Sequence, residues 1–266
     1  MNLIKSTTVA AMLFASSVNL MAQEVTFTLG GETTSKLVKQ SELDNFSLGG
    51  NSYFVTSYME SATMVYYLES YSDNGTAGMQ TKLDIPVGVF KNSYGIDGVV
   101  GFGDQVYVLV EHLHKDAGKK TLSIRPVEGS GKVSSNDTEL MVMSFEKIMN
   151  SGFYESSVSP DKNTLLISGQ LPFVKDQQAK VKLALFDKTL KSIVSTEITL
   201  PGEDTKNKQL AIRVANDGSV YVIKRSMNKI GEIVLNAYQV DMKAGTVKEY
   251  AIELTAPSYI YTYETA

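Results

Sequence analysis

The chain of 266 residues contains no cysteine, no tryptophan, six prolines and two histidines. Each shortage removes a class of chemistry. Without cysteine there is no disulfide, no thiolate nucleophile and no lipid-modified N-terminal cysteine. Basic residues are not in excess either: 25 Lys and Arg stand against 29 Asp and Glu, for a net charge of −4. Nucleic-acid binding needs a basic face, and none is visible. The densest basic cluster, Lys115, Lys119 and Lys120, falls short of the polybasic patch that holds a protein on a membrane surface. Long apolar runs are also missing, so no integral membrane segment is expected in the mature chain.

What is present begins with an export signal over residues 1–22. Lys5 supplies the positive end, Thr8 to Ser16 a short apolar core, and Leu20-Met21-Ala22 a small-residue cleavage site before Gln23. A membrane anchor would need about 18 apolar residues in a row, and Ser16, Ser17 and Asn19 interrupt this one. Removing 22 of the 266 residues leaves about 244, with the loss of Lys5 taking the charge from −4 to −5. That length suits one large all-β domain over 23–266. An exported chain without disulfides fits the periplasm or surroundings of a Gram-negative bacterium.

One phrase recurs four times. Val158 to Gly169 (VSPDKNTLLISG) is echoed by Val214 to Arg225 (VANDGSVYVIKR), Gly101 to His112 (GFGDQVYVLVEH) and, most weakly, Leu48 to Met59 (LGGNSYFVTSYM). With Tyr53, Val106, Leu165 and Val220 equivalent, the spacings are 53, 59 and 55 residues. A turn followed by a β-rich run at such a period marks a propeller or related β array. The units run roughly over 37–90, 91–150, 151–203 and 204–254. Each holds three recognisable strands, as in Thr164–Ser168, Lys182–Phe186 and Ile193–Leu200 of the third, and has room for a fourth before the phrase, at Tyr94–Val99, Tyr154–Val158 and Leu210–Val214. A four-stranded meander cannot bury both faces alone and must stack on neighbours. The expected fold is therefore all-β, a propeller or partial propeller of four to five four-stranded antiparallel blades. A pair of β-sandwiches is the alternative. Helix is confined to Ser144–Asn150. Glu24–Leu29 and Tyr259–Tyr263 are spare strands that pair to close the ring or complete a fifth blade split between the ends, unless the chain is a piece of a larger propeller.

The phrase SPDKNTLLISG resembles the S-P-D-G-x-x-L-x-x-S blade of WD40-like and YVTN-type bacterial propellers, and NDGSVYV is similar to a D-G-x-V-Y-V variant of secreted propellers. Lys162 stands where glycine is usual, and the missing tryptophan removes the WD signature. The resemblance implies the fold and carries no catalytic residues.

Candidate chemistry is sparse. His112 and His114, two apart on a strand, share a face and are weak metal candidates with Glu111 or Asp116 beside them; solvated residues at a strand end are the plainer account. There is no G-x-S-x-G elbow for a serine nucleophile. Asp73-Asn74-Gly75 and Asn216-Asp217-Gly218 are hairpin turns rather than calcium loops. Some pair among 29 acids always qualifies for glycosidase chemistry on paper, and no motif selects one. Superposing the units puts Tyr58, Glu111, Gln170 and Arg225 at one point of each blade, a ring of polar strand exits that could bind a ligand or simply reach water. Leu171-Pro172-Phe173-Val174 is an apolar stretch in a polar loop, suited to a partner. Fourteen tyrosines offer platforms for sugars or packing between blades.

Missing catalytic motifs favour a non-enzymatic envelope module that binds a protein or glycan, without cofactor. The alternative is a propeller glycan hydrolase with paired carboxylates, or a fragment of a larger propeller. Two or more carboxylates of perturbed pKa gathered in one cleft would distinguish the enzyme.

Overall fold

The computed structural model describes residues 41–60, 63–83, 92–128, 132–204, 209–227 and 233–252. They form four antiparallel meanders of four strands, each in sequential order. The first blade comprises β1 (Ser41–Leu48), β2 (Asn51–Glu60), β3 (Thr63–Ser72) and β4 (Ala77–Leu83). The second comprises β5 (Asn92–Phe102), β6 (Gln105–His114), β7 (Lys119–Pro126) and β8 (Thr138–Ser144). The third comprises β9 (Phe153–Val158), β10 (Thr164–Gln170), β11 (Gln178–Asp187) and β12 (Ser192–Glu203). The fourth comprises β13 (Gln209–Val214), β14 (Val220–Met227), β15 (Ile233–Asp241) and β16 (Thr246–Ala251). The fold is a β-propeller or partial propeller, and among the described residues helix is limited to two 3₁₀ turns, Lys115–Ala117 and Ile148–Asn150.

Strand alternation accounts for the stacking. Val106, Val108 and Val110 on β6 face the first blade, packing in one core with Val55 and Leu68. Leu109, on the opposite face, joins Leu122, Ile124, Leu165 and Ile167 between the second and third blades. Leu166 turns the other way and packs with Ile212, Val222 and Tyr238 against the fourth. Among the described residues the second and third sheets thus bury both faces by sharing them with neighbours, and the first and fourth each share one. The first strands make the direct backbone approaches between blades, β1 to β5, β5 to β9 and β9 to β13, as the inner strands around an axis do.

The repeated turns gather at one end of these inner strands. Lys162, at the position where the resemblance leads one to expect glycine, adopts the left-handed conformation with φ 59°. That geometry is unfavourable for a side chain. It is held by the Lys162 N–H donating to the Ser159 carbonyl (2.8 Å), by the Lys162 carbonyl accepting from Gly103 N–H (3.0 Å), and by its ammonium donating to the Ser47 carbonyl. Asp161 N–H donates to Asn216 Oδ1 at 2.8 Å. The turns of all four blades are therefore stitched together.

Three expectations change. β1 carries no strong apolar run (SELDNFSL) and precedes the weakest echo of the phrase, so a strand there is a new finding. Ser144–Asn150 forms only a terminal 3₁₀ turn. β6 continues beyond the expected Val110 to His114, its last residue, so His112 and His114 stand at the strand end as expected but are paired there with Thr121 and Lys119. Glu24–Leu29, Tyr259–Tyr263 and residues 1–22 lie outside the described residues.

Gly152, just before β9, has φ +75°, and a Cβ there would strike the backbone carbonyl of Gln170. Gly152→Ala combines left-handed strain with a backbone collision, so it should lower stability by about 2 kcal/mol or more. Urea denaturation checks this; an unchanged midpoint would contradict the geometry.

Candidate active site

Away from the stitched turns, the inner strands carry charge. Asp97 is the extra residue of a β-bulge in β5, where the register against β6 jumps between Ile96, opposite Val110, and Gly98, opposite Leu109. A bulge breaks alternation and re-aims the side chain it inserts. Two residues earlier Gly95 lies opposite Glu111, and a Cβ at Gly95 would meet nothing within 4 Å. Open space therefore borders this part of the strand.

Glu111, on β6, forms an ion pair with Lys120 of β7 at 2.7 Å. Lys120 is 5% exposed. It also donates to the Gly152 carbonyl at 3.0 Å, and its Nζ lies 5.3 Å from the Tyr154 ring centre. The Tyr154 hydroxyl in turn donates to the Lys120 carbonyl at 2.6 Å, and burial holds its pKa well above the usual tyrosine value. Lys120 is thus fixed on three sides, as a buried cation must be.

Glu155, on β9, faces the fourth blade, where Arg213 of β13 supplies the opposing charge. Burial raises the Glu155 pKa above its ordinary value, and Arg213 and then the Gln170 amide offset only part of that rise. Gln170, the last residue of β10, is 1% exposed.

Three carboxyls thus meet two cations. Lys120 answers Glu111 and Arg213 answers Glu155, which leaves Asp97 unmatched. Its pKa is raised from 3.8 to about 7, first by burial, then by Glu111 and, less, Glu155, with Lys120 opposing. Like-charge repulsion in a partly dry site favours the neutral form.

Of the four ring positions, Glu111 and Gln170 flank this cluster from successive second strands, one in each of the spaces beside the third blade. Arg225 is exposed on β14, and the side chain of Tyr58 on β2 lies outside the described residues. His112 and His114 share a face of β6, as their spacing indicates, with ring centres 3.8 Å apart. That face is opposite the one bearing Glu111, and Asp116 is exposed in the 3₁₀ turn. Burial and then the His114 charge lower the His112 pKa. Among the described residues no group of three or more His, Cys, Asp or Glu is placed to hold a metal.

Sequence reasoning missed Asp97, Lys120, Glu155 and Arg213. The repeat offered a route to Glu155 alone. Superposing first strands instead of second ones puts Gly98, Glu155 and Ala211 at one level, since they pair with Leu109, Ser168 and Ile223. The bulge that promotes Asp97 leaves no sequence signal.

Leu171 to Val174 lines a groove of about 620 Å³ with Phe145, Lys147 and Lys180. Its two loops are clipped by Asn150, whose amide donates to the Phe173 carbonyl (2.8 Å) and accepts from Phe173 N–H (2.9 Å). The groove adjoins the ends of β8 and β10 and the start of β11.

No model of a protein family matches the chain, and no curated protein does. Solved structures do. An α-L-arabinofuranosidase from Podospora anserina in complex with cellotriose is 12% identical, with 83% of this chain and 70% of that one covered and a TM-score of 0.40. A GH43 endo-arabinanase from Bacillus licheniformis is 11% identical, with 76% and 74% covered and a TM-score of 0.44. A thermostable family-43 glycoside hydrolase is 10% identical, with 83% and 77% covered and a TM-score of 0.44. Likeness of that order carries no argument, and both the fold and the chemistry rest on this chain's own residues. The propeller half of the expected resemblance stands, whereas nothing ties the repeat to the WD40-like or YVTN-type families.

The expectation of a binding module without chemistry is corrected: it rested on missing catalytic motifs and on the export signal, whereas Asp97 and Glu155, both raised in pKa first of all by burial, interact within one charged cluster.

Because the folded pKa of Asp97 exceeds its unfolded value, its contribution to stability is intact below about pH 4 and is lost as pH rises through about 7. Asp97→Asn should therefore match wild type near pH 4 and overtake it by up to about 4 kcal/mol at pH 8. Denaturation at several pH values reads this, and parallel curves would refute it. Lys120→Met strands Glu111 and should cost about 3 kcal/mol or more at pH 7; an unchanged unfolding midpoint would show the pair to be dispensable.

Proposed function

We propose that the chain is a glycan hydrolase in which Asp97 is the proton donor and Glu155 the partner carboxylate. The observation that supports this best is the unmatched third carboxyl. Acetal cleavage needs one carboxyl that keeps its proton near neutrality and a second that is ionised across the same pocket. Burial together with Glu111 and Glu155 equips Asp97 for the first part. For the second part, Glu155 has Arg213 as its opposing charge, which offsets part of the rise that burial imposes on its pKa. Lys120 and Glu111 are positioning residues: they set the charge around Asp97 and do not meet the reacting bond. The open space at Gly95 gives a sugar room beside them.

The groove between the loops of the third blade and the end of the second, lined by Phe145, Pro172 and Phe173 together with Lys147 and Lys180, offers further surface for a polymer. Glycans outside the cytoplasm are the substrates within reach of a chain whose first 22 residues read as an export signal.

The test is hydrolysis of a panel of p-nitrophenyl glycosides and of cell-wall polysaccharides. Asp97→Asn and Glu155→Gln should each lower kcat/KM by about 10²-fold or more. The basic limb of the wild-type profile should fall near pH 7, where Asp97 loses its proton. Hydrolysis that survives both substitutions would move the chemistry elsewhere, and a wild-type chain inert on the whole panel would remove the hydrolase assignment.

A further inference from the structure

Gln170 is almost wholly buried, at 1% exposure, yet neither its amide oxygen nor its amide nitrogen has a hydrogen-bond partner, and Glu155 Oε2 is in the same position. A buried amide left unsatisfied costs about 1–3 kcal/mol, so such groups need a partner or a purpose. The two side chains are neighbours: Gln170 is close enough to lower the Glu155 pKa, although the pair does not form a well-aligned hydrogen bond. Between them they present two acceptors, Gln170 Oε1 and Glu155 Oε2, and one donor group, Gln170 Nε2.

The complement of that set is an oxygen that donates two hydrogen bonds and accepts one. Water does so, whereas a single sugar hydroxyl has one proton and leaves an acceptor unmet. The amide also suits the charge of the site. A carboxylate in its place would add a fourth carboxyl to a cluster that holds only two cations, Lys120 and Arg213.

Resting on the hydrolase reading above, we infer that Gln170 and Glu155 hold the hydrolytic water between the third and fourth blades, with Gln170 as positioning residue and Glu155 as base. The step balances. The water oxygen bonds to the anomeric carbon as the glycosidic C–O bond breaks. Glu155 takes a proton from the water, and Asp97 gives its own to the departing oxygen. Proton exchange with solvent then restores both carboxyls.

The test has a structural arm and a kinetic arm, both on the full chain. High-resolution crystal structures of wild type and Gln170→Met should show a water within about 3.2 Å of Gln170 Oε1, Gln170 Nε2 and Glu155 Oε2 in the first, and no ordered water there in the second. On a p-nitrophenyl glycoside that wild type cleaves, Gln170→Met should lower kcat about 10²-fold with KM within twofold, as loss of alignment does. Gln170→Glu, the same shape with an ionisable end, should recover activity only at acid pH, where a protonated carboxyl again offers a donor and an acceptor; it also serves if the methionine variant does not fold. A water equally ordered in Gln170→Met, a sugar hydroxyl bridging the two side chains in soaked crystals, or a rise in KM alone would overturn the assignment. If wild type hydrolyses nothing, the hydrolase reading falls with the water's catalytic role, and the crystallographic arm still decides whether Gln170 and Glu155 bind one.

Discussion

A four-stranded meander has two apolar faces and no means of covering either alone. Here successive blades share faces, which among the described residues produces three cores centred on residues such as Val55, Leu109 and Leu166. Sharing faces in this way forces the first strands together. Polar residues on those strands then stand close to one another and partly out of water, whichever blade they come from. Asp97, Glu155 and Arg213 are far apart in sequence and adjacent only for this reason.

Crowding also decides the protonation of the site. Two cations are available, and both are tied down: Lys120 by Glu111, the Gly152 carbonyl and the Tyr154 ring, Arg213 by its place beside Glu155. A third carboxyl in the same region has no cation of its own and keeps its proton at a pH where an exposed aspartate would have lost it. Charge counting, burial and the bulge at Asp97 thus converge on one acid that keeps its proton towards neutrality. Gly152 links the site to the chain path, since its left-handed turn sets the carbonyl that receives Lys120 and allows the backbone to pass Gln170.

Much of the scaffold was legible in the sequence. The turn-and-strand phrase located the second strand of every blade, because turn residues and β-branched runs are local signals. Its limits were local as well. β1 has few apolar residues and was overlooked, and β6 runs further than its apolar stretch because His112 and His114 pair with β7. Glu111 and Gln170 could be singled out by superposing repeats, since they sit on the strand that carries the phrase. Asp97 could not, because a bulge depends on the register between two strands. Lys120, Glu155 and Arg213 gain their roles from contacts across blades, which a single strand does not encode.

The most direct test of the unmatched third carboxyl is the titration of Asp97 itself. Carboxyl ¹³C chemical shifts, with the Asp97 signal assigned by its loss in Asp97→Asn, follow one group without needing a substrate. A midpoint near 7 is the result the charge arrangement predicts. A midpoint near 4, the value of an ordinary aspartate, would mean that the carboxyl is hydrated or paired, and the site would lose its acid.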